Sequence, residues 1–214
     1  NWTVASIDTL TGCISHASAP VDVVIKPVPA AFATNNGPVC NGQAFVLYGN
    51  TIPGTLPGTM YAWYSDALLT NLVSTDQNPL MTGYASGSYT FYLVVTVNGC
   101  VSPAAQTTVV VKPTPQPPVM PAPFAVCEED AIVLSTTTLA DAYLWTGPSG
   151  FTSTLQYPAA ILNASSLNQG WYKLYVTVNG CASASDSVFV TVNPLPTTPV
   201  ITSNGPICNG EILV

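Results

Sequence analysis

The chain has 214 residues, 48% of them apolar and only 6% charged; it holds no Arg, three Lys (Lys26, Lys112, Lys173) and ten Asp and Glu, for a net charge of −7. About a quarter of an ordinary soluble domain is charged, and gripping phosphates takes clustered Lys and Arg, so nucleic acid is excluded as a partner. A membrane-spanning helix needs about 20 consecutive apolar residues, whereas the apolar runs here are strand-length and broken by Thr, Asn or Pro.

Taken in order, residues 1–26 read as the C-terminal end of a truncated domain of the kind that follows. Runs rich in Val, Thr, Tyr and Ser between turn clusters then predict strands at 43–48, 60–65, 89–97 and 105–111. In the third of these, Tyr89, Phe91, Leu93, Val95 and Val97 share one face and Thr90, Tyr92, Val94 and Thr96 the other. A proline-rich spacer from Pro113 to Pro123 follows, favouring a stiff extended conformation. The pattern repeats with strands at 131–136, 141–146, 172–178 and 186–192, where Tyr172, Leu174, Val176 and Val178 point inward. Asn98-Gly99 and Asn179-Gly180 close hairpins, because a type I′ turn needs positive φ at both central positions. No segment has a helical period with caps.

Six cysteines fix the organisation. Cys13 to Cys40, Cys100 to Cys127 and Cys181 to Cys208 each span 27 residues, while Cys40 to Cys100 spans 60 and Cys127 to Cys181 spans 54. The repeat extends beyond them. Val95-Thr96-Val97-Asn98-Gly99-Cys100 recurs letter for letter at Val176–Cys181, and Asn36-Gly37-Pro38-Val39-Cys40-Asn41-Gly42 returns, with Ile for Val, at Asn204–Gly210. The alternation predicts disulfides Cys40–Cys100 and Cys127–Cys181, each closing one domain, with Cys13 and Cys208 pairing outside this stretch. A loop of that length is worth about 4 kcal/mol in the chain-entropy model. Regular cysteine pairs also imply an oxidising, extracellular compartment.

Trp63 lies 26 residues before Tyr89 and Trp145 lies 27 before Tyr172, and each Tyr follows a Gly-x step. A core Trp on the third strand and a corner Tyr entering the sixth define an immunoglobulin-like sandwich. Phe91 and Leu174 stand where an antibody domain has its cysteine, so the expected disulfides would staple one end of each sandwich. The fold class is therefore all-β: tandem immunoglobulin-like β-sandwiches joined by Pro-rich linkers. The domains run over 27–112 and 113–193, flanked by the truncated 1–26 and by 194–214, a linker with the first strands of a further domain.

The motifs Asn-Gly-Pro-x-Cys-x-Gly, Tyr-Leu-Trp-Thr-Gly-Pro (143–148), Gly-x-Tyr…Val-Thr-Val-Asn-Gly-Cys and Pro-x-Pro resemble the Ig-like repeats of large secreted and surface proteins of Bacteroidota. The resemblance covers essentially the whole chain, and Tyr143–Phe151 fits it better than the matching loop of the earlier domain. It implies export by the type IX system and service as an adhesin, filament or spacer.

Chemistry is sparse. His16, the single histidine, sits beside Ser15 and Ser18 without the acid and nucleophile turn that a hydrolase needs, and is read as an exposed strand-edge residue. Glu128-Glu129-Asp130 is read as a solvated turn, since Ca²⁺ wants six to eight oxygens around a loop. No catalytic, cofactor-binding or metal residue is expected, and no enzymatic activity. Asp8-Thr9-Leu10 and Asp186-Ser187-Val188 match the Asp-(Ser/Thr)-aliphatic O-glycosylation pattern of Bacteroidota, making Thr9 and Ser187 candidate sites. Asn1-Trp2-Thr3 and Asn163-Ala164-Ser165 are N-glycosylation sequons. Trp171, alternating outward beside Tyr172, is the candidate surface contact, with Tyr61 and Tyr64 as further exposed aromatics. The expected partners are further copies packing into a fibre or lattice, or a glycan or surface ligand. Long Val/Thr strands such as Thr107–Val111 and Ser187–Val192 lack the charges that blunt sheet edges.

Overall fold

Strict alternation of apolar and hydroxyl-bearing residues builds the longest strand of each half of the chain. The computed structural model describes residues 2–52, 54–55, 57–202 and 208–209, and the chain divides into two compact units, Asn1–Pro113 and Thr114–Val214. In the first unit the strands are β1 (Ala30–Asn35), β2 (Val39–Cys40), β3 (Phe45–Ile52), β4 (Met60–Tyr64), β5 (Leu72–Ser74), β6 (Leu80–Met81), β7 (Gly87–Val97), β8 (Cys100–Val101) and β9 (Ala105–Lys112). One sheet has the order β1-β3-β6, and the other β2-β9-β7-β4-β5 with β8 attached to β7. The β2–β9 pairing is parallel, Val39 opposite Val111 and Cys40 opposite Lys112.

The inner faces of the two sheets meet in one core. Phe45 and Leu47 from β3 pack with Trp63 from β4, Phe91, Leu93 and Val95 from β7, and Val109 from β9, all essentially without solvent contact. Burial of a large apolar side chain stabilises by roughly 1.5–3 kcal/mol, so these side chains dominate the unit's stability. Tyr89, expected inward, is only half-buried: it stands at the rim, its ring edge-on to Tyr84 at 4.8 Å.

The second unit contains β10 (Phe124–Cys127), β11 (Ala142–Thr146), β12 (Thr152–Ser153), β13 (Gly170–Val178), β14 (Cys181–Ala182) and β15 (Asp186–Asn193), with single 3₁₀ turns at Pro148–Gly150 and Ser166–Asn168. The sheet order is β10-β15-β13-β11-β12, with β14 on β13. Trp145, Tyr172, Leu174, Val188 and Val190 line its core. The strand expected at 131–136 is extended and alternates, Ile132 and Leu134 being buried, but it joins the ladder only through an isolated bridge, Ile132 to Ile161. Beyond the bridge a side chain replaces the neighbouring strand: Gln156 Nε2 donates to the carbonyls of Thr136 at 3.3 Å and Thr138 at 3.2 Å.

Both Asn-Gly turns have left-handed backbone at both positions, with φ of 51° and 83° at Asn98 and Gly99 and 53° and 80° at Asn179 and Gly180. The stretches expected to be unguarded edges are covered at their C-terminal ends: β2 pairs with β9 at Val111 and Lys112, and β10 pairs with β15 at Val190–Asn193. In the two larger sheets the outermost strands β2, β5, β10 and β12 are two to four residues long, and short edges are themselves a guard against edge pairing; β1, an edge of the three-stranded sheet, has six residues.

Candidate functional site

The two ends of each sandwich differ, and the cysteines mark them. In the first unit β7 ends in the Asn98-Gly99 turn, after which Cys100 pairs opposite Val97. The chain reaches the sandwich at this same end, where Lys26 Nζ donates to the Asn98 carbonyl at 2.9 Å. We call this the hairpin end. At the far end, Gly87 pairs with Val111, and there Cys40 lies opposite Lys112, where the last strand leaves. Ten residue steps of β7 separate the two ends, and at about 3.3 Å per step that is about 30 Å.

The second unit repeats the plan. Cys181 lies opposite Val178 at the hairpin end, and Cys127 lies opposite Asn193 beyond the other end of β13. Here too the chain arrives at the hairpin end. Val119 is bonded to Thr138, Tyr143 Oη donates to the Thr138 carbonyl, and Asp141 accepts from the Asn179 amide at 2.6 Å. Eight steps along β13 and three more along β15 from Val190 to Asn193 put Cys127 and Cys181 more than about 30 Å apart.

A disulfide requires Cα atoms within about 7 Å, so the expected pairs Cys40–Cys100 and Cys127–Cys181 are corrected by the geometry. Cys40 and Cys181 are each disulfide-bonded, whereas Cys100 and Cys127 are free thiols, as is Cys13. Cys208 is exposed.

The remaining candidates fall on the surface. Thr9 sits in an exposed turn built by Asp8, whose carboxylate accepts the amides of Leu10 at 2.8 Å and Thr11 at 3.2 Å; those bonds, Leu10 first, hold its pKa below the ordinary 3.8. Ser187 is half-buried within β15, opposite Lys173. Asn163 is exposed with left-handed backbone, φ 54°, while Asn1 lies outside the described residues. His16 is exposed. Glu128–Asp130 form a turn in which Asp130 Oδ2 accepts from the Cys127 amide at 3.3 Å. No group of three or more His, Cys, Asp or Glu among the described residues could hold a metal ion, and no helix there is long and apolar enough to cross a membrane.

Trp171 is 55% exposed, and its ring meets Phe189 edge-on at 5.2 Å across the β13–β15 pair. Tyr175 and Leu144, paired across β13 and β11, are exposed on the same face, with Lys173 between Trp171 and Tyr175. Tyr61 is not available for contact: it is 7% exposed, with its hydroxyl 2.9 Å from Thr55 Oγ1. Tyr64 is half-buried. Beside β4 a shallow concavity of about 440 Å³ is lined by Thr59, Met60, Tyr61, Ala62, Thr75, Val94 and Thr96, a lining of hydroxyl and apolar groups without a carboxylate, amine or imidazole.

Sequence reasoning missed one repeated device. Ser102 and Ser183 are buried, two residues after the hairpin cysteine. The Ser102 hydroxyl accepts the Val95 amide at 2.9 Å and its own amide donates to the Val95 carbonyl at 2.9 Å; Ser183 does the same with Val176 at 3.1 and 2.8 Å. The signal was legible as Cys-x-Ser at Cys13, Cys100 and Cys181.

Sandwiched sheets, core Trp and corner Tyr define an immunoglobulin-like fold. Residues 28–113 match the family model described as Ig-like domain CHU_C associated. No curated protein matches the chain. Among solved structures the chain is similar to the fibronectin(III)-like modules of Clostridium thermocellum CbhA, at 16% identity over 80% of this chain and 100% of that one, TM-score 0.40. It is also similar to the N-terminal Ig1-2 module of the Drosophila receptor protein tyrosine phosphatase DLAR, at 15% identity over 78% and 100%, TM-score 0.30.

Proposed function

We propose that the chain is a non-catalytic, structural stretch of an extracellular array of Ig-like domains that forms or decorates a filament or cell-surface fibre. The observation that carries this reading is duplication of the same construction in both units: core Trp, corner Tyr, Asn-Gly hairpin and buried Cys-x-Ser serine. Arrays of one repeat present one surface many times, which suits a scaffold. The sheet faces are apolar and hydroxyl-rich, with exposed Val110, Leu144 and Trp171, so copies would pack through contacts that salt does not screen. Sedimentation of the deglycosylated chain at low and high ionic strength tests this. Concentration-dependent association of equal extent at both is expected; persistent monomers at high concentration under both conditions would rule out the filament.

A second reading, an adhesive module, is favoured by Trp171, whose exposed ring beside Phe189 offers an apolar surface to a glycan or another protein. Under that reading Trp171→Ala abolishes binding to a glycan array while leaving unfolding unchanged.

A further inference from the structure

The extended segment 132–136 occupies in the second unit the place that β3 occupies in the first. Counted from Cys127 and Cys40, Ile132 corresponds to Phe45, Leu134 to Leu47 and Thr136 to Gly49. Those four apolar side chains are buried, and Gln156 Nε2 donates to the Thr136 carbonyl as Gln77 Nε2 does to that of Gly49 at 2.8 Å. The opposite flank differs between the units. There β3 is paired by β1, from Ala30 opposite Ile52 to Asn35 opposite Leu47, and the Asn36 amide continues the ladder to the Val46 carbonyl at 3.3 Å. By the same count Thr34 and Asn36 become Pro121 and Pro123, which have no N–H to donate. Threonine side chains hold the 119–123 stretch instead: the Val119 amide donates to Thr138 Oγ1 at 2.7 Å, and Thr136 Oγ1 donates to the Val119 carbonyl at 2.9 Å. A hollow of about 150 Å³ separates Val119, Met120 and Pro121 from Ser135, Thr136 and Thr137. Ile132 exchanges both of its backbone bonds with Ile161, so Val133 and Ser135, alternating with it, face the proline stretch. Both are exposed, and neither makes a hydrogen bond among the described residues. An extended, core-anchored segment with its outward backbone groups left to water is an open strand edge.

We propose that this edge of the second unit is a strand-acceptor site: it takes an extended, uncharged, proline-free strand of another polypeptide in place of the 119–123 stretch. The chemistry of that strand is read from β1, Ala-Ala-Phe-Ala-Thr-Asn, which fills the same edge in the first unit. β1 has no charge and an N–H at every residue; small Ala31 and Ala33 lie half-buried on its inner side, and Phe32 and Thr34 are exposed. The exchange gives up the two threonine bonds to Val119 and gains backbone bonds at Val133 and Ser135 that Pro123 and Pro121 do not donate. An inner residue of the incoming strand takes the place of Met120, which packs against the core. Main-chain bonds then supply affinity, and the alternate side chains supply selectivity. The site is independent of both the filament and the glycan readings.

Hydrogen exchange of the full chain, with and without a synthetic peptide of residues 30–36, tests this. Without peptide the Val133 and Ser135 amides should exchange as unprotected groups. With rising peptide they should become protected, while the Ile132 amide, already bonded to Ile161, stays unchanged. The same peptide carrying Thr34→Pro should protect neither. In the chain itself, Pro121→Thr with Pro123→Asn restores the missing donors, so both amides should be protected without peptide and the peptide should lose its effect. Protection of both amides in the dilute parent chain without peptide overturns the proposal, as does the absence of any protection up to the solubility limit of the peptide. Protection that grows with chain concentration alone assigns the edge to a second copy and overturns the foreign strand.

Discussion

Tyr172 donates its hydroxyl to the carbonyl of Asn168 at 2.8 Å, tying the start of β13 to the 3₁₀ turn before it. Tyr89 makes the same four-residue bond to Ala85 at 3.0 Å. Tyr172 has no exposed surface while Tyr89 is half-buried, so the two bonds differ in worth. Tyr172→Phe should cost about 1–1.5 kcal/mol and Tyr89→Phe less, since a buried acceptor left unpaired is dearer than one that water can reach. Urea unfolding of each variant against the parent chain measures the difference.

Burial raises the Tyr172 pKa above the ordinary 10.0, and burial followed by the neighbouring Tyr89 raises that of Tyr84. A raised folded pKa means the stabilising contribution is fully present below pH 10 and is lost as pH climbs through the folded values. Unfolding free energy should therefore be flat from neutral pH and fall above about pH 10. Tyr172→Phe should flatten that decline in chemical unfolding measured across alkaline pH.

Gly147 has no room for a side chain: an added Cβ would come within 2.5 Å of the Tyr172 ring, which is itself locked in the core. Gly147→Ala should destabilise the second unit by about 1–3 kcal/mol through overpacking. Gly150→Ala is a less informative control, because its strain comes from φ 74° with open space around it. Differential scanning calorimetry resolves whether one transition or both shift.

Ser183→Ala would leave the buried amide of Val176 without its side-chain acceptor. The expected loss is about 1–3 kcal/mol, with faster hydrogen exchange at that amide. Ser183→Thr, which keeps the hydroxyl, should retain part of the protection.

Most of the fold was legible in the residues. The alternation of Phe91, Leu93 and Val95 and of Tyr172, Leu174 and Val176 located the inner faces, and Trp63 and Trp145 located the core. Each indole N–H is satisfied by a loop carbonyl, Gln77 at 3.3 Å and Leu155 at 2.9 Å. What the residues could not give was the end of the sandwich on which each cysteine falls. Spacing along a chain reports order, whereas a bond depends on position along the sheet. Two cysteines 54–60 residues apart read alike whether the intervening strands number odd or even. Tyr61 was misplaced for a related reason: on β4 it alternates with Ala62 and shares the inward face of Trp63.

The central geometric claim is that Cys40 and Cys100 occupy opposite ends of one sandwich. Pulsed dipolar spectroscopy of the chain carrying nitroxides at these two cysteines, with the other four replaced by Ser, measures it directly. The account predicts a distance of about 30 Å, the length of β7; a separation near the 7 Å limit for disulfide-bonded Cα atoms would contradict it.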